Sequence, residues 1–158
     1  MRKLRIYLDT SVISHLDQQE APIQMKDTLT LWGEIKQGKY EVCISERVFA
    51  EIADSNESKR AIMLEYLAGI EHTTVQLTNS VMEYAKRLSA EGVITDKHFD
   101  DCLHIAYAVV NNCDMIISWN FSHIVRAKTI NGVRYISSLL GYKDIGIYSP
   151  SMIIQGDD

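Results

Sequence analysis

The sequence lacks an excess of basic residues. Its 158 residues include 16 Lys and Arg against 21 Asp and Glu, which gives a formal net charge of −5. Non-specific binding to nucleic acid depends on many cationic contacts with phosphate, and this composition does not supply them. Any contact with nucleic acid must therefore come from a local group of basic side chains.

Long apolar runs are also missing. No window holds the roughly 18 uninterrupted apolar residues that a membrane-spanning helix needs. Near the start, Arg5 and Asp9 interrupt what would be the apolar stretch of a signal peptide. We therefore expect an ordinary soluble globular protein that has no contact with a membrane.

Cysteine is scarce and unpaired. The three residues, Cys43, Cys102 and Cys113, are an odd number without Cys-x-x-Cys spacing, and Cys43 and Cys102 have apolar neighbours. This pattern argues against a disulfide framework and against a zinc site. It predicts buried free thiols in a reducing cytoplasm.

What the sequence does contain is an alternation of short apolar strands and helical segments. Runs rich in Val, Ile or Tyr predict strands at Leu4–Leu8, Glu41–Ile44, Thr74–Leu77, Met115–Ser118 and Ile145–Tyr148. Strands separated by helices favour a mostly parallel α/β sheet covered on both faces, because parallel neighbours need crossover connections. The length suits one domain, which we take to be residues 1–158.

Four polar residues lie where local structure explains them poorly. They are Asp9 after the first strand, Glu51 within VFAEIA, Asp101 at the start of DCLHIAYA, and Asn120 within ISWNFSHI. In parallel sheets, ligands bind beyond the carboxyl ends of the strands, near the point where strand order reverses. Asp9 ends the first predicted strand and Asn120 follows the fourth, so we expect both at this edge.

Each of the four has a simpler explanation. Asp9 could cap the helix that follows it, and Asp101 could place a favourable charge at a helix N-terminus. Glu51 could be a solvated helix residue, and Asn120 could be an ordinary turn residue. Taken one at a time, these alternatives stay open.

Assembled together, however, three carboxylates and a carboxamide would create a conflict. Their mutual repulsion would raise pKa values and destabilise the fold unless a divalent cation lay between them. An all-oxygen set without Cys favours Mg²⁺ or Mn²⁺ over zinc. The hydroxyls of Thr10, Ser11 and Ser118 could donate hydrogen bonds to a phosphate or to the ligand carboxylates, or act as ordinary turn and cap groups.

Four segments in this order, YLDTSVI, SERVFAEI, DDCLHIAYA and IISWNFSHI, resemble the PIN-domain ribonucleases, especially the VapC-like toxins of type II toxin–antitoxin pairs. The resemblance extends from Leu4 to about Pro150. It implies a three-layer α/β/α sandwich with an acidic pocket at the carboxyl edge of the sheet. It also implies a hydrolase that cleaves RNA phosphodiester bonds with Mg²⁺ or Mn²⁺, a small antitoxin as partner, and a homodimer.

The resemblance assigns roles residue by residue. Asp9 matches the first metal-binding Asp, Glu51 the Glu and Asp101 the third acid of the family, and all three are expected to be catalytic metal ligands. Asn120 takes the fourth catalytic position, where many relatives have Asp and a sizeable subset has Asn. His123 stands three residues later, where many relatives carry another Asp. Because Asn120 removes a formal charge, we expect a second metal ion to bind weakly or only with substrate.

Several neighbouring residues have expected roles of their own. Asp100 is a weaker candidate than Asp101 for the third acid. Asp96 could assist the three carboxylates from a greater distance. Arg47 lies four residues before Glu51, so on a helix it could form a surface ion pair with Glu51, which we favour, or point towards the phosphate backbone of RNA. His104 lies on the helix that we expect to be buried, so we interpret it as a hydrogen-bonded core histidine.

Two functions therefore remain open at the level of sequence. The first is a metal-dependent ribonuclease. The second is a catalytically silent module of the same fold that binds RNA or a protein, and Asn120 and His123 favour it.

Overall fold

A five-stranded sheet forms the centre of the computed structural model, which describes residues 2–155. The strands are β1 (Leu4–Leu8), β2 (Tyr40–Ser45), β3 (Thr73–Val75), β4 (Met115–Ile117) and β5 (Gly146–Tyr148). They lie in the order β3-β2-β1-β4-β5, and every neighbouring pair is parallel. The predicted α/β class with a central parallel sheet is confirmed.

Helices cover both faces of this sheet. They are α1 (Thr10–Ser14), α2 (Pro22–Lys36), α3 (Glu46–Ala53), α4 (Glu57–Ala68), α5 (Asn79–Ala90), α6 (Phe99–Val110), α7 (Ala127–Leu140) and α8 (Pro150–Ile153). One apolar layer packs α5, α6 and α7 on the sheet, and the other packs α1 to α4 on the opposite face. This is the predicted three-layer α/β/α arrangement.

Strand β1 shows how the apolar sequence builds both layers. Successive side chains of a strand point to opposite faces, and here both faces are covered. Tyr7 belongs to the layer with α6, whereas Ile6 and Leu8 belong to the layer with α1 to α4. All three side chains are fully buried. Burying the aliphatic side chains of Ile6 and Leu8 contributes roughly 1.5–3 kcal/mol each.

The predicted strand positions agree with the structure, with differences at their ends. The third strand was expected to reach Leu77 but ends at Val75. Among residues 2–155 its one strand partner is β2, and that pairing ends at Ser45 opposite Val75. Leu77 lies beyond the pairing and is exposed. The residues with a strand-like composition therefore continue beyond Val75, where pairing with β2 ends.

The order of the strands reverses around β1. The chain proceeds from β1 to β2 and β3 on one side and then returns to place β4 on the other side of β1. Loops that leave the carboxyl ends of β1 and β4 therefore separate in opposite directions and leave a crevice between them. Asp9 and Ser118 directly follow these two strands.

The structure also shows the state of the cysteines and the length and polarity of the helices. Cys43, Cys102 and Cys113 are buried free thiols, as predicted. Among residues 2–155, every helix is too short or too polar to cross a membrane.

Candidate functional site

The crevice at the carboxyl ends of β1 and β4 holds a pocket of about 270 Å³. Its lining residues are Asp9, Thr10, Ser11, Glu51, Asp101, His104 and Asn120. The four polar residues singled out from the sequence thus lie around one pocket, although each comes from a different part of the chain.

Asp9 lies deepest among them and is 4% exposed. It occupies the N-cap position of α1, but its side chain makes no capping hydrogen bond, so the helix-cap alternative is wrong for its carboxylate. Instead, Ser11 Oγ donates to one carboxylate oxygen at 2.5 Å and Ser118 Oγ donates to the other at 2.6 Å. Burial raises the pKa of Asp9, although His104 and the two hydroxyls oppose the shift.

Glu51 reaches the pocket from α3, the helix that follows β2. Thr10 Oγ1 donates to one of its oxygens, and His104 Nε2 lies 2.7 Å from the same oxygen. Burial opposes the charge of Glu51, but the bond to His104 and the histidine charge outweigh it, so the pKa of Glu51 is lowered. The alternative of a freely solvated helix residue is therefore wrong, because Glu51 is held by partners from α1 and α6.

The expected pair between Arg47 and Glu51 is also wrong. The Arg47 guanidinium donates instead to Asp100, which lies outside the pocket. Asp96, expected as a distant helper, accepts a hydrogen bond from Ser89 and does not line the pocket either. Of the three acids at the start of α6 and just before it, only Asp101 faces the pocket.

His104 is a hydrogen-bonded core histidine, as predicted, and it is 3% exposed. Its Nδ1 lies 2.7 Å from the Tyr7 hydroxyl, which lies 2.8 Å from Ser45 Oγ. Burial opposes protonation of this imidazole, but Glu51, Asp9 and Asp101 together raise its pKa. A continuous chain of hydrogen bonds thus runs from Glu51 into the core beneath the sheet edge.

The link between His104 and Glu51 was missed at the level of sequence. The available signal was the spacing of Asp101 and His104, which are three residues apart on α6 and therefore lie on one side of that helix. Tyr7 was missed as well, because its hydroxyl is hidden within a strand that otherwise consists of ordinary core residues.

Asp101 and Asn120 complete the rim of the pocket. Asp101 lies in the first turn of α6, and its Oδ2 is 3.0 Å from His123 Nδ1. The side-chain oxygen of Asn120 accepts a hydrogen bond from the His123 backbone N–H at 2.9 Å. Asn120 therefore does act as a turn residue, which was its simpler alternative, and it also borders the pocket.

The donor set fits a divalent cation. Asp9, Glu51 and Asp101 present carboxylate oxygens to one pocket, and the charge of Asp101 contributes to the raised pKa of the buried Asp9. A cation between these groups would remove both the repulsion and the desolvation cost of an ionised Asp9. Carboxylate and amide oxygens are the ligands typical of Mg²⁺ and Mn²⁺.

The fold and the pocket together define an α/β protein with an acidic site at the topological switch point of a parallel sheet. No family model matches the sequence, and a comparison with curated proteins finds no match. Among solved structures, the chain is similar to the crystal structure of VapBC2 from Rickettsia felis bound to a DNA fragment from their promoter. The TM-score is 0.58 at 12% identity, and the match covers 92% of this chain and 98% of that chain. At this identity the similarity concerns the fold alone.

Proposed function

We propose that the protein is a metal-dependent ribonuclease of the PIN-domain family and the toxin of a type II toxin–antitoxin pair. The observation that carries this proposal is the convergence of four residues on one pocket at the switch point of the sheet, namely Asp9, Glu51, Asp101 and Asn120. The similarity of the fold to the VapBC2 structure agrees with it. Residues 1–158 would form one nuclease domain.

The carboxylates of Asp9, Glu51 and Asp101 would hold Mg²⁺ or Mn²⁺, directly or through water. When bound, the ion supplies an activated water and stabilises charge on the phosphodiester oxygens. Ser11 and Ser118 keep both oxygens of Asp9 in fixed directions.

The other residues of the pocket orient the ligands and adjust its charge. Thr10 and His104 hold Glu51 from two sides, so its carboxylate is oriented before substrate arrives. Asn120 contributes a neutral amide at the fourth position, which reduces the negative charge that an incoming phosphate meets.

The proposed partners follow from the same family assignment. The substrate is RNA, and a small antitoxin is the inhibitory protein partner, in agreement with the likeness to the VapBC2 structure. A homodimer is the proposed assembly. The buried free thiols fit a reducing cytoplasm.

Cleavage of a mixed RNA pool tests the proposed activity. We expect wild-type protein, purified without antitoxin, to cleave RNA with Mg²⁺ or Mn²⁺ and to stop when the metal is chelated. Asp9→Asn and Asp101→Asn should each lower the rate by about 100-fold or more, because each removes a ligand charge from the pocket. Asp100→Asn is the matched control, since this neighbouring carboxylate is exposed and pairs with Arg47.

Three outcomes distinguish the alternatives. Loss of cleavage in the two pocket variants with retention in Asp100→Asn supports the ribonuclease. Equal cleavage by all four proteins would point to a contaminating nuclease and contradict the proposal. Absence of cleavage by every protein, including wild type, would favour the silent binding module.

A further inference from the structure

A second group of metal-ligating side chains lies beside the acidic pocket. His98, Asp101 and His123 each offer one ligand atom, and these three atoms all lie within 4.8 Å of one another. The imidazole rings of His98 and His123 stack with their centroids 3.8 Å apart and their planes inclined by 29°. All three side chains are half-buried, so they are accessible to an ion from solvent.

Two separate elements bring these residues together. His98 is the residue immediately before α6, and Asp101 lies in the first turn of the same helix. His123 belongs to the loop after β4, where its backbone N–H is held by Asn120. Its Nδ1 already contacts Asp101 at 3.0 Å. The position of His123 is therefore defined by both its backbone and its ring.

The chemistry of this group differs from that of the acidic pocket. Imidazole nitrogens suit zinc and other divalent transition metals, whereas all-oxygen sets suit Mg²⁺. Two His and one carboxylate, with a remaining position open to water or substrate, form a known type of catalytic zinc site. Ligand atoms around one tetrahedral zinc ion lie roughly 3.4 Å apart, so small rotations of these half-buried side chains would close the group around it.

We propose that His98, Asp101 and His123 form a binding site for a divalent transition metal, with Zn²⁺ as the ion that fits the donors best. Asp101 also lines the acidic pocket, so its carboxylate belongs to both sites. A metal bound here would lie next to the acidic pocket, and its binding does not depend on the proposed ribonuclease activity.

Binding is measured on the full chain without RNA, after stripping metal with a chelator. Titration with Zn²⁺ by calorimetry gives the affinity, and the absorption spectrum of added Co²⁺ reports the coordination geometry and ligand field of the bound ion. We expect His98→Gln and His123→Gln each to weaken Zn²⁺ binding by more than about tenfold, because even an outer hydrogen-bond partner of a metal ligand is worth that much. Both should also lose the Co²⁺ spectrum of the wild type.

The matched control is His72→Gln. His72 is also half-buried, but it precedes the amino end of β3 and therefore lies at the opposite edge of the sheet. Its replacement should leave the Zn²⁺ affinity and the Co²⁺ spectrum unchanged. Melting temperatures in metal-free buffer show whether each variant is folded, and His98→Gln alone is sufficient if His123→Gln unfolds.

Zn²⁺ binding of wild-type strength in both His98→Gln and His123→Gln would overturn the proposed site, as would wild-type protein that binds no Zn²⁺. RNA cleavage measured on the same preparations keeps the two proposals separate. Histidine-dependent Zn²⁺ binding without any cleavage would sustain the site and contradict the ribonuclease. Cleavage that Asp9→Asn abolishes, without histidine-dependent Zn²⁺ binding, would sustain the ribonuclease and contradict the site.

Discussion

The negative charge of Asp9 destabilises the folded state. It is almost fully buried, and burial raises the pKa of its carboxyl above the ordinary value of 3.8. For an acid, a raised folded-state pKa means that the folded protein binds the proton more tightly than the unfolded chain does. The contribution of Asp9 to stability is therefore unfavourable once the pH exceeds the ordinary pKa, and a bound cation would reverse it.

We predict that Asp9→Asn leaves the melting temperature in metal-free buffer near neutral pH unchanged or raises it. The neutral amide removes the desolvation cost while keeping the size of the side chain, and Ser11 and Ser118 can reorient their hydroxyls to pair with it. Thermal unfolding followed by circular dichroism measures this. A large drop in melting temperature would mean that the carboxylate is needed to hold β1 and β4 together, which is a structural role.

The pair of Glu51 and His104 has the opposite effect on stability. The pKa of Glu51 is lowered from 4.5, so its contribution is present above pH 4.5 and is lost as the pH falls through the lowered value. The pKa of His104 is raised from 6.5, so its contribution is present below pH 6.5 and is lost as the pH rises through the raised value. Both contributions are complete only between pH 4.5 and 6.5.

A double-mutant cycle with Glu51→Gln and His104→Gln should therefore give a coupling energy that depends on pH. In metal-free buffer we expect a larger coupling at about pH 6 than at about pH 9, because the coupling falls as the pH rises through the raised pKa of His104. Urea unfolding of the four proteins at both pH values provides the measurement. A coupling of the same size at both would indicate a neutral hydrogen bond between the two side chains.

At the scale of elements, α6 connects the site to the core. Every residue from Cys102 to Val109 is buried, so the helix packs on nearly all sides. Its first turn carries Asp101, and the next turn carries His104. Because the body of the helix cannot shift without disturbing the core, these two side chains have a rigid base, which suits a site that must hold ligands in fixed positions.

Helices α2 and α7 each contain a glycine, and their surroundings predict opposite effects of alanine. A Cβ at Gly33 in α2 would meet no atom within 4 Å, whereas one at Gly132 in α7 would lie 2.5 Å from Val93 Cγ2. Gly33→Ala should stabilise the protein by roughly 0.5–1 kcal/mol through helix propensity. Gly132→Ala should destabilise it, because the β-branched Val93 cannot easily move away.

Urea unfolding of these two variants tests the packing of α7 independently of the site. The essential result is that the free energy of unfolding rises in Gly33→Ala and falls in Gly132→Ala, since the same substitution is made in two helices. If Gly132→Ala were as stabilising as Gly33→Ala, the close approach of α7 to Val93 would not exist in solution.

At the scale of the whole molecule, the sequence predicts the strands and the edge at which they present polar residues. The first strand was predicted with its observed bounds, because its apolar run ends abruptly at Asp9. The grouping of Asp9, Glu51, Asp101 and Asn120 around one pocket also followed from strand ends and the family resemblance.

The contacts between distant residues could not be predicted in the same way. His98 and His123 stack only because α6 and the loop after β4 meet at the sheet edge, and nothing in their local sequences indicates it. The bond between Glu51 and His104 likewise depends on the packing of α3 against α6. Arg47 pairs with Asp100 and not with Glu51, because tertiary packing brings Asp100 within reach. Helix periodicity alone does not reveal this contact.

The most direct test of the account is the change in melting temperature that Mg²⁺ produces in wild type, Asp9→Asn and Asp100→Asn. An ion that binds the folded state alone stabilises it by about 2.7 kcal/mol at a concentration one hundred times its dissociation constant. We predict a clear rise for wild type and Asp100→Asn and none for Asp9→Asn. Equal rises in all three proteins, or none in any, would contradict a metal site built around Asp9.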